Sequence, residues 1–238
     1  MMFIPADKLK GELEPLGIEL TAEAAERFDT YAQLLVEWNR KMNLTAITEP
    51  EQIVTLHFAD SATFFAAAQP ARGASLIDVG SGAGFPGLPV KILRPDMHVT
   101  LIDGTGKRIA FLKEAAAQLD LEVEAIHTRA EEAAVKPQLR EQFDFATARA
   151  VAQLRLLAEY CLGFVKVGGR FIAMKGRLTD GEVADAQRAI AVMGGRLGDR
   201  RTLNLSDSSE RNLLCIEKIS QTPSEYPRCS AKIAKKPL

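Results

Sequence analysis

Tryptophan occurs once, histidine three times and cysteine three times in this chain of 238 residues. Cys161, Cys215 and Cys229 are odd in number and far apart, which points away from a zinc site or a disulfide framework and agrees with a reducing compartment. No apolar run approaches the length that spans a bilayer. Met1 to Glu14 lacks the basic start and apolar centre of a secretory signal, so the expectation is a cytoplasmic protein with no membrane partner. The formal net charge is −1, and no overall basic field advertises nucleic acid; any such partner has to be met by local clusters. There is no internal repeat. What is present is a globular composition, 47% hydrophobic and 26% charged, long enough to bury one substantial core with an appendage.

The most informative stretch runs from Leu76 to Gly87, where an apolar run from Ala74 to Val79 ends in Gly80, Gly82, Gly84 and Gly87. It reads as a buried strand turning sharply into a helix, with Pro86 suited to the first turn. Two ligand classes use such a loop. Gly82-x-Gly84-x-x-Gly87 satisfies the dinucleotide fingerprint. S-adenosylmethionine, which has no phosphate, needs glycines for close approach of its methionine and ribose parts. Asp78, two residues before the first glycine, would repel a pyrophosphate but could orient the loop or attract an ammonium group.

Around this stretch the chain changes character. Residues 1–70 read as a helical extension: Thr21 caps a helix with Phe28, Tyr31, Leu34, Leu35 and Trp38 at helical spacing, ending near Met42, and Leu56 to Ala68 forms another. Residues 71–220 alternate strands (74–79, 98–103, 122–127, 143–147, 165–174) with helices (87–94, 106–119, 151–163, 181–193). That pattern predicts an α/β, doubly wound, mostly parallel sheet. Strands at 196–205 and 211–219 have no helix between them and form a late antiparallel hairpin, the plan of a Rossmann-like, class I S-adenosylmethionine-dependent methyltransferase rather than of a dinucleotide enzyme. Residues 221–238 read as an irregular, solvated basic tail.

Several side chains fall where a doubly wound sheet binds ligands. Asp103 ends the second strand and could accept hydrogen bonds from ribose hydroxyls, or cap the next helix. Ala130 and Glu131 follow the third strand, where a base edge can be read, or they form a plain acidic helix start. Arg149 follows the fourth strand, either in the site or paired with Asp78 or Asp144; Lys175 and Gly176 end the fifth. In the helical front, Asn39 and Asn43 lie one turn apart, with His57, Asp60 and Ser61 beyond; no glycine-flanked nucleophile makes a triad of them.

Taken together these segments resemble the ribosomal RNA small-subunit methyltransferase G family, also called the glucose-inhibited division protein B family. The resemblance rests on Trp38-Asn39-x3-Asn43-Leu44-Thr45, His57-x2-Asp60-Ser61, Asp78 to Gly87, Asp103-x3-Lys107-Arg108-x2-Phe111-Leu112, Ala148-Arg149-Ala150, Lys175-Gly176, Tyr226-Pro227-Arg228 and Ala234 to Leu238. It implies methylation of guanine N7 at a guanosine of 16S ribosomal RNA, with S-adenosylmethionine contacted at Gly80, Phe85, Ala130, Glu131 and Arg149. Asp78, Gly82 and Asp103 join that set from their position. Arg149 and Lys175 are the positioning candidates. Arg40, Lys41, Lys107, Lys175, Arg228, Lys235 and Lys236 are the candidate RNA contacts, with no DNA partner and no metal expected. Gly104, where many relatives have serine, and Cys229-Ser230, where a basic or proline residue is common, depart from the pattern. A nicotinamide oxidoreductase and a non-catalytic RNA-binding protein are the alternative readings.

Overall fold

The computed structural model describes residues 2–150 and 152–238. Strands β1 (Ser75–Val79), β2 (His98–Asp103), β3 (Val123–His127), β4 (Phe143–Arg149), β5 (Val165–Lys175), β6 (Gly195–Asn204) and β7 (Glu210–Lys218) form one sheet in the order β3-β2-β1-β4-β5-β7-β6. The pairs from β3 to β5 are parallel, while β7 runs antiparallel to both β5 and β6. Central β1 and β2 are buried on both faces, which is why they read as unbroken apolar runs. β3 and β6 are the edges, and β6 exposes most of its residues.

Chain order reverses at β1, whose neighbours are β2 on one side and β4 on the other. In an open parallel sheet, the crevice above the carboxyl ends of such a pair is the ligand position. Each side chain named from sequence at a strand end (Asp78, Asp103, Arg149, Lys175) is carried by the carboxyl end of β1, β2, β4 or β5.

The helical front packs on one sheet face. Thr21 Oγ1 accepts from Ala24 N at 3.2 Å and starts the helix Ala22–Met42, which buries Ala24, Phe28, Tyr31, Ala32 and Leu35. Arg40 and Lys41 lie in its last turn, where the dipole favours cations, and Asn43 ends it at φ +50°. The front has no separate core: Leu9, Phe28, Tyr31 and Phe58 share one apolar cluster with Leu76, Leu101, Phe145 and Ile172 of the sheet. A second cluster, including Leu157, Phe164, Ala186 and Ile190, covers the opposite face.

Four expectations change. The helix read as Leu56 to Ala68 is broken: the helical segments Pro50–Ile53, Asp60–Ala62 and Phe64–Ala68 flank or follow a π-helical turn, Val54–Ala59. Such insertions are enriched at functional sites, and this one carries His57. Of the helix expected at 151–163, residue 151 lies outside the described residues and the described helix is Leu154–Cys161, followed by a tight turn, Leu162–Phe164. Arg149 does not follow β4 but is its last residue.

The fourth change is the tail. It folds back as ordered chain with a short helix, Ser230–Lys235, whose Ile233 is fully buried. Arg140 donates to the carbonyls of Thr222 and Tyr226 at 2.7 and 2.8 Å, and Arg228 pairs with buried Glu159 at 2.7 Å. One buried isoleucine among exposed lysines leaves no periodic signal, so composition alone reads as solvated.

Candidate active site and family

The glycine loop is held from three sides. Asp78 is fully buried; its Oδ2 accepts from Gly87 N at 3.0 Å, while Oδ1 has no hydrogen-bond partner among the described residues. Burial pushes its carboxyl up to about 7, against the lowering effect of the Gly87 N–H and the Arg149 charge. Of the two roles the sequence leaves open for Asp78, its contacts are those of a residue that orients the loop. Asp103 supports the other shoulder: Oδ2 accepts from Gly82 N at 3.0 Å and Oδ1 from Thr105 N at 2.8 Å, with Arg108 at 3.4 Å. Asp103 is therefore both a loop brace and the turn-former before the helix Gly106–Gln118. From the helical front, the Tyr31 hydroxyl donates to Ala83 O at 2.5 Å.

The glycines divide by what a side chain would meet. A Cβ on Gly82 has only Gly80 O near it, at 3.9 Å, so this glycine borders open space at φ +59°. A Cβ on Gly84 would lie 2.6 Å from Tyr31 Oη, and one on Gly87 2.3 Å from Leu101 Cδ2. Gly84 and Gly87 are packing glycines, whereas Gly82 borders open space.

Arg149 is where the front meets the sheet. It pairs with neither Asp78 nor Asp144. Its Nη1 donates to Asp60 Oδ2 at 2.9 Å and to Leu56 O at 3.2 Å, and Nη2 lies 3.4 Å from His57 Nδ1. The guanidinium carbon stands 5.0 Å from the centre of the Phe85 ring, a cation–π contact, and His57 stacks on that ring at 4.3 Å and 12°. Burial, helped by the Arg149 charge, lowers the His57 pKa to about 3, so the ring is neutral and Nδ1 accepts from Arg149. Nε2 then donates to Thr45 Oγ1 at 2.9 Å, and Thr45 N is held by Asn39 Oδ1 at 2.9 Å. The Trp38 to Thr45 and His57 to Ser61 motifs are thus one relay ending at Arg149. Ser61 Oγ donates to His57 O at 2.5 Å within its own helical turn and is no nucleophile.

Other candidates are less open than expected. Lys175 Nζ donates to Glu182 Oε1 at 2.6 Å and Ala152 O at 3.1 Å. Glu131 is buried at the start of the short helix Ala130–Ala133 and accepts from the Ser230 hydroxyl of the tail. The Arg228 guanidinium is engaged by Glu159 and Lys236 O rather than offered to a phosphate. Lys107, Arg40, Lys41, Lys235 and Lys236 are exposed, Lys41 within 3.8 Å of Glu37. Arg211 was not singled out from sequence, yet its Nε forms an ion pair with Asp60 Oδ1 at 2.9 Å. It sits at the start of a strand whose pattern announces only core.

An antiparallel β7 inserted between β5 and β6, beside a glycine loop ending β1 and an acid ending β2, defines the class I S-adenosylmethionine-dependent methyltransferase fold and departs from the all-parallel dinucleotide plan. A solved structure agrees: TYW2 of M. jannaschii in complex with AdoMet superposes with a TM-score of 0.53 at 14% identity, over 67% of this chain and 74% of that one. The family described as rRNA small subunit methyltransferase G matches residues 24–213. Proteins of that name from Acetivibrio thermocellus and Clostridium perfringens are 48% and 45% identical, over 93% and 98% of this chain and 92% and 98% of their own lengths. The chain belongs to the rRNA small subunit methyltransferase G family and is a methyltransferase; the oxidoreductase alternative falls.

Proposed function

We propose that the protein transfers the methyl group of S-adenosylmethionine to N7 of a guanosine in 16S ribosomal RNA, in the cytoplasm. The observation that carries this reading is the junction at Arg149, where the glycine loop, the relay from the helical front and an open pocket meet at the sheet's carboxyl edge. The bound cofactor supplies a sulfonium methyl. Gly80, Gly82 and Phe85 would hold its methionine and ribose side. Asp103 retains lone pairs for ribose hydroxyls, and Ala130 and Glu131 would read the adenine edge. The open face at Gly82 and the carboxylate at Asp103 fit a ligand with a ribose and no phosphate.

Guanine N7 carries an in-plane lone pair and no proton, so attack on the methyl needs no general base. His57, held neutral with both ring nitrogens engaged, has no proton-transfer work to do. The protein's contribution is to hold N7 at near-attack distance among fixed dipoles. The guanine has to be unstacked or in a loop, because A-form RNA hides N7 in a deep, narrow groove. Arg40, Lys41, Lys107, Lys235 and Lys236 are the exposed cations offered to phosphates.

Labelled S-adenosylmethionine presented with naked 16S RNA and with assembled small subunits tests this reading. Label at a guanosine that becomes alkali-labile supports it. Label at an exocyclic amine, a ribose or a pyrimidine carbon overturns it.

A further inference from the structure

Beside Arg149 lies a pocket of about 380 Å³ bounded by Leu56, His57, Arg149, Met174, Lys175 and Arg211. That volume is near the lower end of small-ligand sites, suited to one base rather than a dinucleotide. Its walls come from the ends of β4 and β5, the start of β7 and the π-helical turn. Asp60, also in the wall, accepts from Arg149 on one oxygen and forms an ion pair with Arg211 Nε on the other, both at 2.9 Å. It fixes two guanidinium groups across one opening. Arg211 Nη1 is tied to Glu210 O at 3.0 Å, and Nη2 has no protein partner among the described residues.

Resting on the N7 reading above, we propose that this pocket receives the target guanine and that Arg211, aimed by Asp60, donates to its O6 and selects guanine over adenine. The Hoogsteen edge of guanine presents two acceptors, N7 and O6, whereas adenine places an amino donor beside N7. Here N7 must stay bare for the methyl, so the arginine takes O6 alone. A cationic donor at that point pairs with guanine and repels the adenine amino group. The same charges act after transfer. A bond forms between N7 and the methyl carbon, the carbon–sulfur bond breaks with its electron pair going to sulfur, and the positive charge ends on the purine with no proton moved. Arg149 and Arg211 against Asp60, with Lys175 balanced by Glu182 and His57 neutral, leave one net positive charge in the wall. The methylated base is repelled where the neutral one was held.

The test is a cycle of two changes, Arg211→Gln in the protein and 2-aminopurine riboside, which lacks O6, at the target position of the RNA. The wild-type protein is expected to lose about 10- to 100-fold in kcat/KM when O6 is removed, as for a hydrogen bond to a charged donor. Arg211→Gln is expected to lose a similar factor on guanosine, to bind S-adenosylmethionine normally, and to treat the two bases alike. Arg211→Lys, which keeps the charge but not the Nε that pairs with Asp60, is expected to fall between and guards against a folding defect in the first variant. A variant that keeps the wild-type preference for guanosine over 2-aminopurine overturns the assignment of Arg211. A wild-type protein that places no methyl on N7 overturns the reading beneath it instead.

Discussion

Arg149 is tied to a carboxylate, a carbonyl, an imidazole and an aromatic face at once, so its removal unpairs more than it deletes. Arg149→Ala is expected to lower kcat/KM for methyl transfer about 100-fold and to weaken S-adenosylmethionine binding; unchanged turnover and affinity would remove Arg149 from the site. The two perturbed groups beside it act on stability with opposite signs. His57 falls from 6.5 to about 3, so the folded chain binds fewer protons than the unfolded one between those values, and stability is lost as pH falls from 6.5. Asp78 rises from 3.8 to about 7, so the folded chain keeps a proton the unfolded one has released, and stability is lost as pH rises toward 7. In the overlap the slopes oppose one another, each at most about 1.4 kcal/mol per pH unit. Asp78→Asn is expected to gain stability from about pH 4.5 to 6.5, and His57→Asn to lose it over the same range. Urea midpoints at those two pH values check both signs; the same slope in both variants would contradict the assignment.

At the scale of elements, the glycine loop gives the sharpest contrast. Gly87→Ala puts a methyl into Leu101 and Asp78, and Gly84→Ala into Tyr31 and Leu88; each is expected to cost about 1–3 kcal/mol of stability in denaturant titrations. Gly82→Ala meets open space and carries only the strain of its positive φ, about 1 kcal/mol, while S-adenosylmethionine affinity suffers most. Equal losses at all three would show that the loop does not divide into packing and ligand-facing parts. The strands and most helices were legible in sequence because β1, β2, β4 and β5 are apolar runs punctuated by glycine, proline and acids. The π-helical turn was not, since one extra residue in a turn leaves the apolar spacing of Val54, Phe58 and Ala62 intact. Asp60 was visible in its motif, but its two arginine partners come from 89 residues away at Arg149 and from a strand start at Arg211, pairings that only the sheet order creates.

For the whole molecule, the tail closes the structure against the helices Leu154–Cys161 and Ala130–Ala133. Arg228 neutralises Glu159, which is 1% exposed, and Ser230 reaches Glu131 at the start of the short helix after β3. Arg228→Met is expected to cost about 3 kcal/mol, because a buried carboxylate loses its counter-ion, and to weaken S-adenosylmethionine binding through Glu131. A stability change within error in urea titrations would return the tail to the solvated role its composition suggests. With a net charge of −1, RNA affinity has to come from local cations, so methyl transfer should fall steeply with added salt. The central claim is that this site holds a lone pair in place and moves no proton. The measurement that tests it most directly is the single-turnover rate of methyl transfer to small ribosomal subunits between about pH 7.5 and 8.5, above the values of His57 and Asp78. A rate that stays level across that interval is the predicted result; a rate climbing tenfold per pH unit would reveal a proton removed in the transition state and contradict the account.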